Sequence, residues 1–156
     1  MVVEMHPADF GFLAMSKEAE GGGDCYMVAG QWVCFNPGYT LSHAEVTPIE
    51  GGPFNSPLAG ISHGHAFNTY RGDAHGEVIE NEDDYDVQTR GYPADWVYDA
   101  TMPEGHFLRR APADLYYRMA GVDPDKVIHY TPEEAGRLQL EHEHYGPYDE
   151  RAKEWR

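Results

Sequence analysis

The chain has 156 residues, which is enough for one domain with a buried core but too short for two ordinary domains. Its 27 acidic residues against 11 Lys and Arg give a formal charge of −16, which argues against binding to nucleic-acid phosphates or to anionic membranes. No apolar run approaches the roughly 18 residues of a membrane span, and two cysteines do not form a disulfide framework. We therefore expect one domain over residues 1–156, with an irregular segment at 1–20, in a reducing and cytoplasmic setting.

The first predicted element is a helix that follows a run of glycines. The run ends at Asp24, a residue type that favours the N-cap position. Four apolar residues then follow the i, i+3, i+4, i+7 spacing of one helix face: Cys25, Val28, Ala29 and Trp32. The spacing predicts a helix from about Cys25 to Phe35, ended by residues 36–38, Asn-Pro-Gly. Cys25 is thereby placed in the first turn of a helix.

Three segments rich in β-branched and aromatic residues predict strands: residues 39–49, 61–70 and 96–101. The second strand carries His65, and Asp99 lies in the third. Between these two strands, Glu80–Asp95 is acidic and rich in turn-forming residues, which predicts an exposed loop. Because this loop joins the strands that bear His65 and Asp99, we hypothesise that it forms a mobile flap over a cleft.

The remaining elements are predicted to be two helices with a short strand between them. A short helix at Ala113–Ala120 is closed by Gly121, and a strand follows at Val127–Tyr130. The last helix begins at Thr131-Pro132-Glu133-Glu134, which combines a capping box with proline at the first helical position, and runs to about His144. This order of elements, helix, then strands, then helices, is typical of the α+β class.

Cys25, His65 and Asp99 have the contexts that acyl transfer through a thiol requires. A cysteine in the first turn of a helix lies at the positive end of the helix dipole, which stabilises the nucleophilic thiolate. A histidine on a strand holds its ring rigidly, and a carboxylate on a neighbouring strand accepts the second ring N–H. The backbone N–H of Cys25 would stabilise an oxyanion. Such a site requires no cofactor and no metal ion.

The three segments that carry these residues also resemble a known enzyme core. They are Asp24-Cys25-Tyr26, Gly64-His65-Ala66-Phe67 and the run from Trp96 to Thr101. Together they are similar to the Cys–His–Asp core of transglutaminase-like and papain-like cysteine enzymes. Residues 127–130, 131–135 and 144–149 also resemble the C-terminal part of small bacterial and bacteriophage proteins with the same Cys–His core. The resemblance covers roughly residues 24–149. It implies a Cys-bearing helix packed on an antiparallel sheet that bears His and Asp.

The same resemblance implies a thiol hydrolase or acyltransferase, a peptidase, an amidase or a transglutaminase-like enzyme, acting on a peptide, a protein or a small amide. Two features depart from its pattern. The 34 residues between His65 and Asp99 exceed what a tight hairpin needs, and Asn81 or Asp83 is an alternative third member. Six residues before Cys25, where papain-like peptidases often carry a glutamine, stands Ala19. The second departure weakens the case for a papain-type protease.

Two other functions fit the same residues. The chain could be a binding or phage-accessory protein in which the scaffold of the triad is structural. Alternatively, His63 and His65 share a strand face and could hold zinc or iron together with Cys25 or Asp99. The second cysteine, Cys34, lies near the end of the predicted helix, and we interpret it as a core or partly exposed residue without a catalytic role.

Overall fold

In the computed structural model, which describes residues 24–49, 52, 59–73, 75–79 and 94–155, the first element is helix α1, Asp24–Phe35. It begins one residue before the predicted start and ends where predicted, since Gly38 adopts a left-handed conformation with φ of 87°. The buried face is rotated slightly from the predicted stripe. Ala29, Gly30 and Val33 are buried, whereas Val28 is only partly buried.

A close helix contact explains this rotation of the buried face. Helix α1 packs on the sheet and also on the last long helix of the chain. A Cβ atom at Gly30 would lie 2.9 Å from Nε2 of Gln139 and 3.0 Å from the ring of Tyr145. The Gln139 amide donates a hydrogen bond of 3.2 Å to the Gly30 carbonyl. Glycine therefore permits a close approach that a periodicity of apolar residues does not reveal.

Five strands form one antiparallel sheet, and their bounds are as follows: β1 Tyr39–Val46, β2 His63–Gly72, β3 Ala94–Tyr98, β4 Arg110–Pro112 and β5 Ile128–Tyr130. Their order across the sheet is β4-β3-β2-β1-β5. Strands β1 and β2 pair along eight positions, from Tyr39↔Tyr70 to Val46↔His63. Strand β3 lies on the other side of β2, with Asn68 opposite Tyr98. The strand that bears His65 and the strand that precedes Asp99 are therefore neighbours.

Two further helices pack on the sheet, one on each face. Helix α2, Ala113–Ala120, has the predicted bounds and is followed by Gly121 in the left-handed conformation. Helix α3, Pro132–His142, begins with the predicted capping box, in which Thr131 and Glu134 exchange hydrogen bonds. It ends two residues earlier than predicted because Glu143 turns left-handed, with φ of 57°. The prediction of the α+β class is confirmed.

The sheet has an apolar cluster on each face. Neighbouring residues of β2 point in opposite directions, so Ala66 packs with Ala29 and Val33 of α1, and Phe67 packs with Tyr116 of α2. Both faces of the sheet are thus covered by helices. No helix in the described ranges is long and apolar enough to cross a membrane.

Several boundaries differ from the predictions. The first strand ends at Val46 rather than residue 49, because the Thr47 N–H bonds the Ala120 carbonyl at 2.8 Å instead of continuing the ladder. Residues 94 and 95 belong to β3 and not to the predicted acidic loop. Strand β4, only three residues long, was not predicted. The predicted irregular segment 1–20 and residues 80–93 of the predicted flap lie outside the described residues.

Candidate active site

The pairing of β2 with β3 brings His65 and Asp99 together. Asp99 directly follows β3, and its Oδ2 lies 2.8 Å from Nε2 of His65. The Asp99 side chain is 1 % exposed and that of His65 is 14 % exposed. The predicted contact between these residues is confirmed, although 34 residues of chain separate them. Asn81 and Asp83, the alternative partners, lie outside the described residues.

Asp99 accepts four hydrogen bonds, which use the capacity of a carboxylate. Oδ2 accepts a second bond, of 2.6 Å, from the Tyr116 hydroxyl on α2. Oδ1 accepts bonds from the backbone N–H and the hydroxyl of Thr101, at 3.0 and 2.5 Å. Asp99 therefore caps the turn that follows β3 and pairs with His65 at the same time.

These contacts determine the charge states of the pair. Burial by itself would raise the pKa of Asp99, but the charge and hydrogen bond of His65, followed by Thr101 and Tyr116, lower it overall. Burial by itself would lower the pKa of His65, but Asp99 and then the hydrogen bond and charge of Cys25 raise it to about 10. The pair is thus an imidazolium and a carboxylate at neutral pH.

Cys25 is the third member of this arrangement. Its side chain is partly buried in the first turn of α1, and its thiol lies near enough to the His65 ring to help raise the pKa of that ring. Because Asp99 occupies Nε2, the ring nitrogen left for the thiol is Nδ1. Cys25 forms no disulfide. The structure therefore brings the three predicted residues together in the order thiol, imidazole, carboxylate.

Tyr26 holds the first turn of α1 against the start of β2. A Cβ atom at Gly64 would lie 2.4 Å from the Tyr26 hydroxyl oxygen, so only glycine leaves room for this side chain. The Tyr26 ring also packs against the buried His43 ring in a T-shaped arrangement, with 4.9 Å between the ring centroids. A Cβ atom at Gly146 would lie 3.4 Å from the Tyr26 ring. The contact with Tyr26, the neighbour of Cys25, therefore explains why glycine occupies position 64 beside His65.

Cys34 lies in the last turns of the same helix in a different environment. Its thiol donates a hydrogen bond of 3.7 Å to Oε1 of Gln139. Burial raises the pKa of Cys34 to about 11, although the hydrogen bond with Gln139 opposes this shift. A thiol with that pKa is almost entirely protonated at neutral pH.

Two partners of Asp99 were not identified from the sequence. Thr101 follows Asp99 by two residues, which is the spacing at which an Asp side chain bonds the backbone in a turn, so a local signal existed. Tyr116 lies 17 residues from Asp99 on a helix. No local pattern links it to the carboxylate.

The predicted alternative of a metal site receives no geometric support from the described residues. His63 bonds the Ile61 carbonyl through Nδ1 at 3.0 Å. Within the described ranges, no three or more His, Cys, Asp or Glu side chains are grouped so that they could hold a metal ion.

The fold and the contacts of Cys25, His65 and Asp99 are the basis on which function can be argued. No family model, curated protein or solved structure matches the chain. The function is therefore inferred from the chemistry of the site and from the resemblance of the three short motifs.

Proposed function

We propose that the protein is a thiol hydrolase or acyltransferase that acts on an amide or ester through Cys25, His65 and Asp99. The observation that carries this proposal is the position of the His65 ring, which bonds a buried carboxylate through Nε2 and lies beside the Cys25 thiol. A histidine placed in this way can hold a thiolate as an ion pair and can transfer a proton to a leaving group.

The first half of the reaction forms a covalent acyl-enzyme. The Cys25 thiolate attacks the carbonyl carbon, a C–S bond forms, and the carbonyl π electrons move to the oxygen. The backbone N–H of Cys25 at the start of α1 has no intrahelical acceptor and can donate to this oxyanion. As the intermediate collapses, the C–N or C–O bond breaks and the His65 imidazolium gives its proton to the departing amine or alcohol. A thioester and a neutral imidazole remain.

The second half releases the acyl group. His65 takes a proton from water, or from an amine in a transfer reaction, as this nucleophile attacks the thioester carbonyl. Collapse breaks the C–S bond and restores the thiolate and the imidazolium. Throughout both halves, Asp99 keeps the ring oriented and balances its charge. Four hydrogen bonds fix Asp99 itself, so it requires no rearrangement during the cycle.

The arrangement of elements supports a relation to the transglutaminase-like and papain-like enzymes. Helix α1 carries Cys25 in its first turn. Strand β2 carries His65, and Asp99 directly follows the neighbouring antiparallel strand β3. The chain order Cys, His, Asp agrees with the resemblance of the motifs. We propose this finer fold class together with the activity.

The substrate we propose is a neutral or basic peptide, protein or small amide. The formal charge of −16 repels anionic substrates and attracts cationic ones at low ionic strength. Salt screens this attraction over about 10 Å at 0.1 M. Activity on a basic peptide should therefore decline more with added salt than activity on a neutral one.

The proposal is tested by comparing the two cysteines of the folded protein. At pH 7, iodoacetamide should alkylate Cys25 at least about 100-fold faster than Cys34, as followed by peptide mass spectrometry, because only the thiolate is nucleophilic. Cys25→Ser should abolish turnover of peptide amides and activated esters, and Cys34→Ser should retain it. Equal alkylation rates in the folded wild-type protein would remove the enzymatic proposal and favour the alternative of a non-catalytic binding protein.

A further inference from the structure

Asp99 shares one of its oxygens between two donors from different elements. His65 on β2 and the Tyr116 hydroxyl on α2 both bond Oδ2, at 2.8 and 2.6 Å. The other oxygen, Oδ1, is held by Thr101 within the turn after β3. The bonds from Thr101 are local and follow from the turn itself. The bond from Tyr116 is the one that ties the carboxylate to a separate part of the core.

Tyr116 is well placed to hold this bond rigidly. Its side chain is fully buried and packs against Phe67, with 5.1 Å between the ring centroids. Burial, followed by the charge of Asp99, raises the pKa of Tyr116 well above its ordinary value, so the hydroxyl remains a donor at any pH at which the protein works. A buried tyrosine normally finds a hydrogen-bond partner, and here that partner is the carboxylate of the candidate site.

We propose that Tyr116 is a positioning residue of the site: its hydroxyl holds the Asp99 carboxylate in the orientation in which the same oxygen accepts the bond from His65. The inference rests on the proposed function and adds a residue to it. The titratable groups that face Asp99 are His65 on β2 and Tyr116 on α2, and the charge of Cys25 on α1 acts on both of them. Removal of the Tyr116 hydroxyl leaves three donors on Asp99 and destabilises its ionised form.

The test compares two tyrosines that are neighbours on α2. Tyr116→Phe removes the hydroxyl that bonds Asp99. Tyr117→Phe is the matched control, because the Tyr117 hydroxyl lies near Thr69 and the four donors to Asp99 are other groups. The readout is the ¹³C NMR titration of the Asp99 carboxyl carbon, which is assigned by its loss in Asp99→Asn. A hydrogen bond to a charged group is worth enough to move the midpoint upward by about one to two pH units in Tyr116→Phe.

In Tyr116→Phe, the Asp99 midpoint should shift upward, and the pH at which Cys25 alkylation declines on the acid side should shift upward with it. In Tyr117→Phe, neither of these two pH values should change. An unchanged Asp99 midpoint in folded Tyr116→Phe would overturn the inference. If Tyr116→Phe does not fold, 3-fluorotyrosine at position 116 replaces it. Its more acidic hydroxyl is a stronger donor and should lower the Asp99 midpoint. An unchanged Asp99 midpoint would overturn the inference here too. Equal alkylation of Cys25 and Cys34 in the wild-type protein would reject the proposed function, whereas the Asp99 titration would still decide the role of Tyr116.

Discussion

The two ends of helix α1 each carry a cysteine, and the surroundings of the two thiols differ in almost every respect. Cys25 in the first turn meets the ring of His65, whose positive charge is sustained by Asp99. Cys34, nine residues later, meets the neutral amide of Gln139 on α3. The first environment supplies a cation and a proton donor. The second supplies burial and one weak hydrogen bond, which leave the pKa of Cys34 at about 11.

The two thiols therefore differ in their neighbours as well as in their place on the helix. Both cysteines are partly buried on one helix, and neither forms a disulfide. The difference comes from the neighbouring elements, which are β2 and the turn after β3 at one end and α3 at the other. The following variants remove parts of the Cys25 environment and leave Cys34 as an internal reference.

The largest expected effect follows the loss of the imidazole. His65→Ala should reduce the alkylation rate of Cys25 at pH 7 by about 10- to 100-fold, since the cation that stabilises the thiolate is removed. The rate of Cys34 in the same sample should not change. His63→Ala is the matched control, because His63 lies on the same strand but bonds the Ile61 carbonyl. A reactive Cys25 in folded His65→Ala would show that its environment depends on something other than this ring.

Asp99→Asn should produce a smaller and pH-dependent effect. In the wild-type protein, Asp99 opposes the effect of burial and raises the pKa of His65 to about 10. Without the carboxylate, we expect the pKa of His65 to be lower. In the wild type, protonation of His65 contributes fully to the free energy of unfolding below pH 6.5, and this contribution is lost as the pH rises to about 10. Urea denaturation at pH 6, 8 and 10 should therefore show a stability difference between wild type and variant that narrows with rising pH.

The same variant has a direct spectroscopic readout. The His65 ring protons, followed by NMR, should titrate with a midpoint in Asp99→Asn that lies below the value of about 10 in the wild type. Identical midpoints in the two proteins would contradict the charge coupling between His65 and Asp99.

The smallest effect is expected from the contact that positions the first turn of α1. Gly64→Ala places a methyl group 2.4 Å from the Tyr26 hydroxyl oxygen, so it should lower the free energy of unfolding by about 1–3 kcal/mol and slow Cys25 alkylation while Cys34 is unaffected. Gly136→Ala on α3 is the control, since its Cβ atom meets nothing within 4 Å and alanine should stabilise the helix by about 0.5–1 kcal/mol. Equal stabilities of the two variants in urea denaturation would contradict this account of Gly64.

Much of the fold could be predicted from the sequence because the signals are local. Glycine or proline next to periodic apolar residues defines α1, and the capping box at Thr131 defines the start of α3. Strand β4 was missed because three residues that include Pro112 contain no alternation, and they are held only by pairing with β3. The ends of β1 and α3 were misplaced because a bond from Thr47 to Ala120 and the left-handed Glu143 decide them.

By itself, the sequence determined the helix that carries Cys25 and the short motifs around His65 and Asp99, from which the candidate nucleophile, base and carboxylate are predicted. The tertiary structure alone decided how they are supported. It brought the Tyr116 hydroxyl to Asp99, set Tyr26 over Gly64, and gave Cys34 an amide partner instead of a histidine. The physical reason is that spacing along the chain encodes contacts within a helix, a strand or a turn. Contacts between elements depend on the order of strands in the sheet and on which face each helix covers, and no short stretch of residues contains that information.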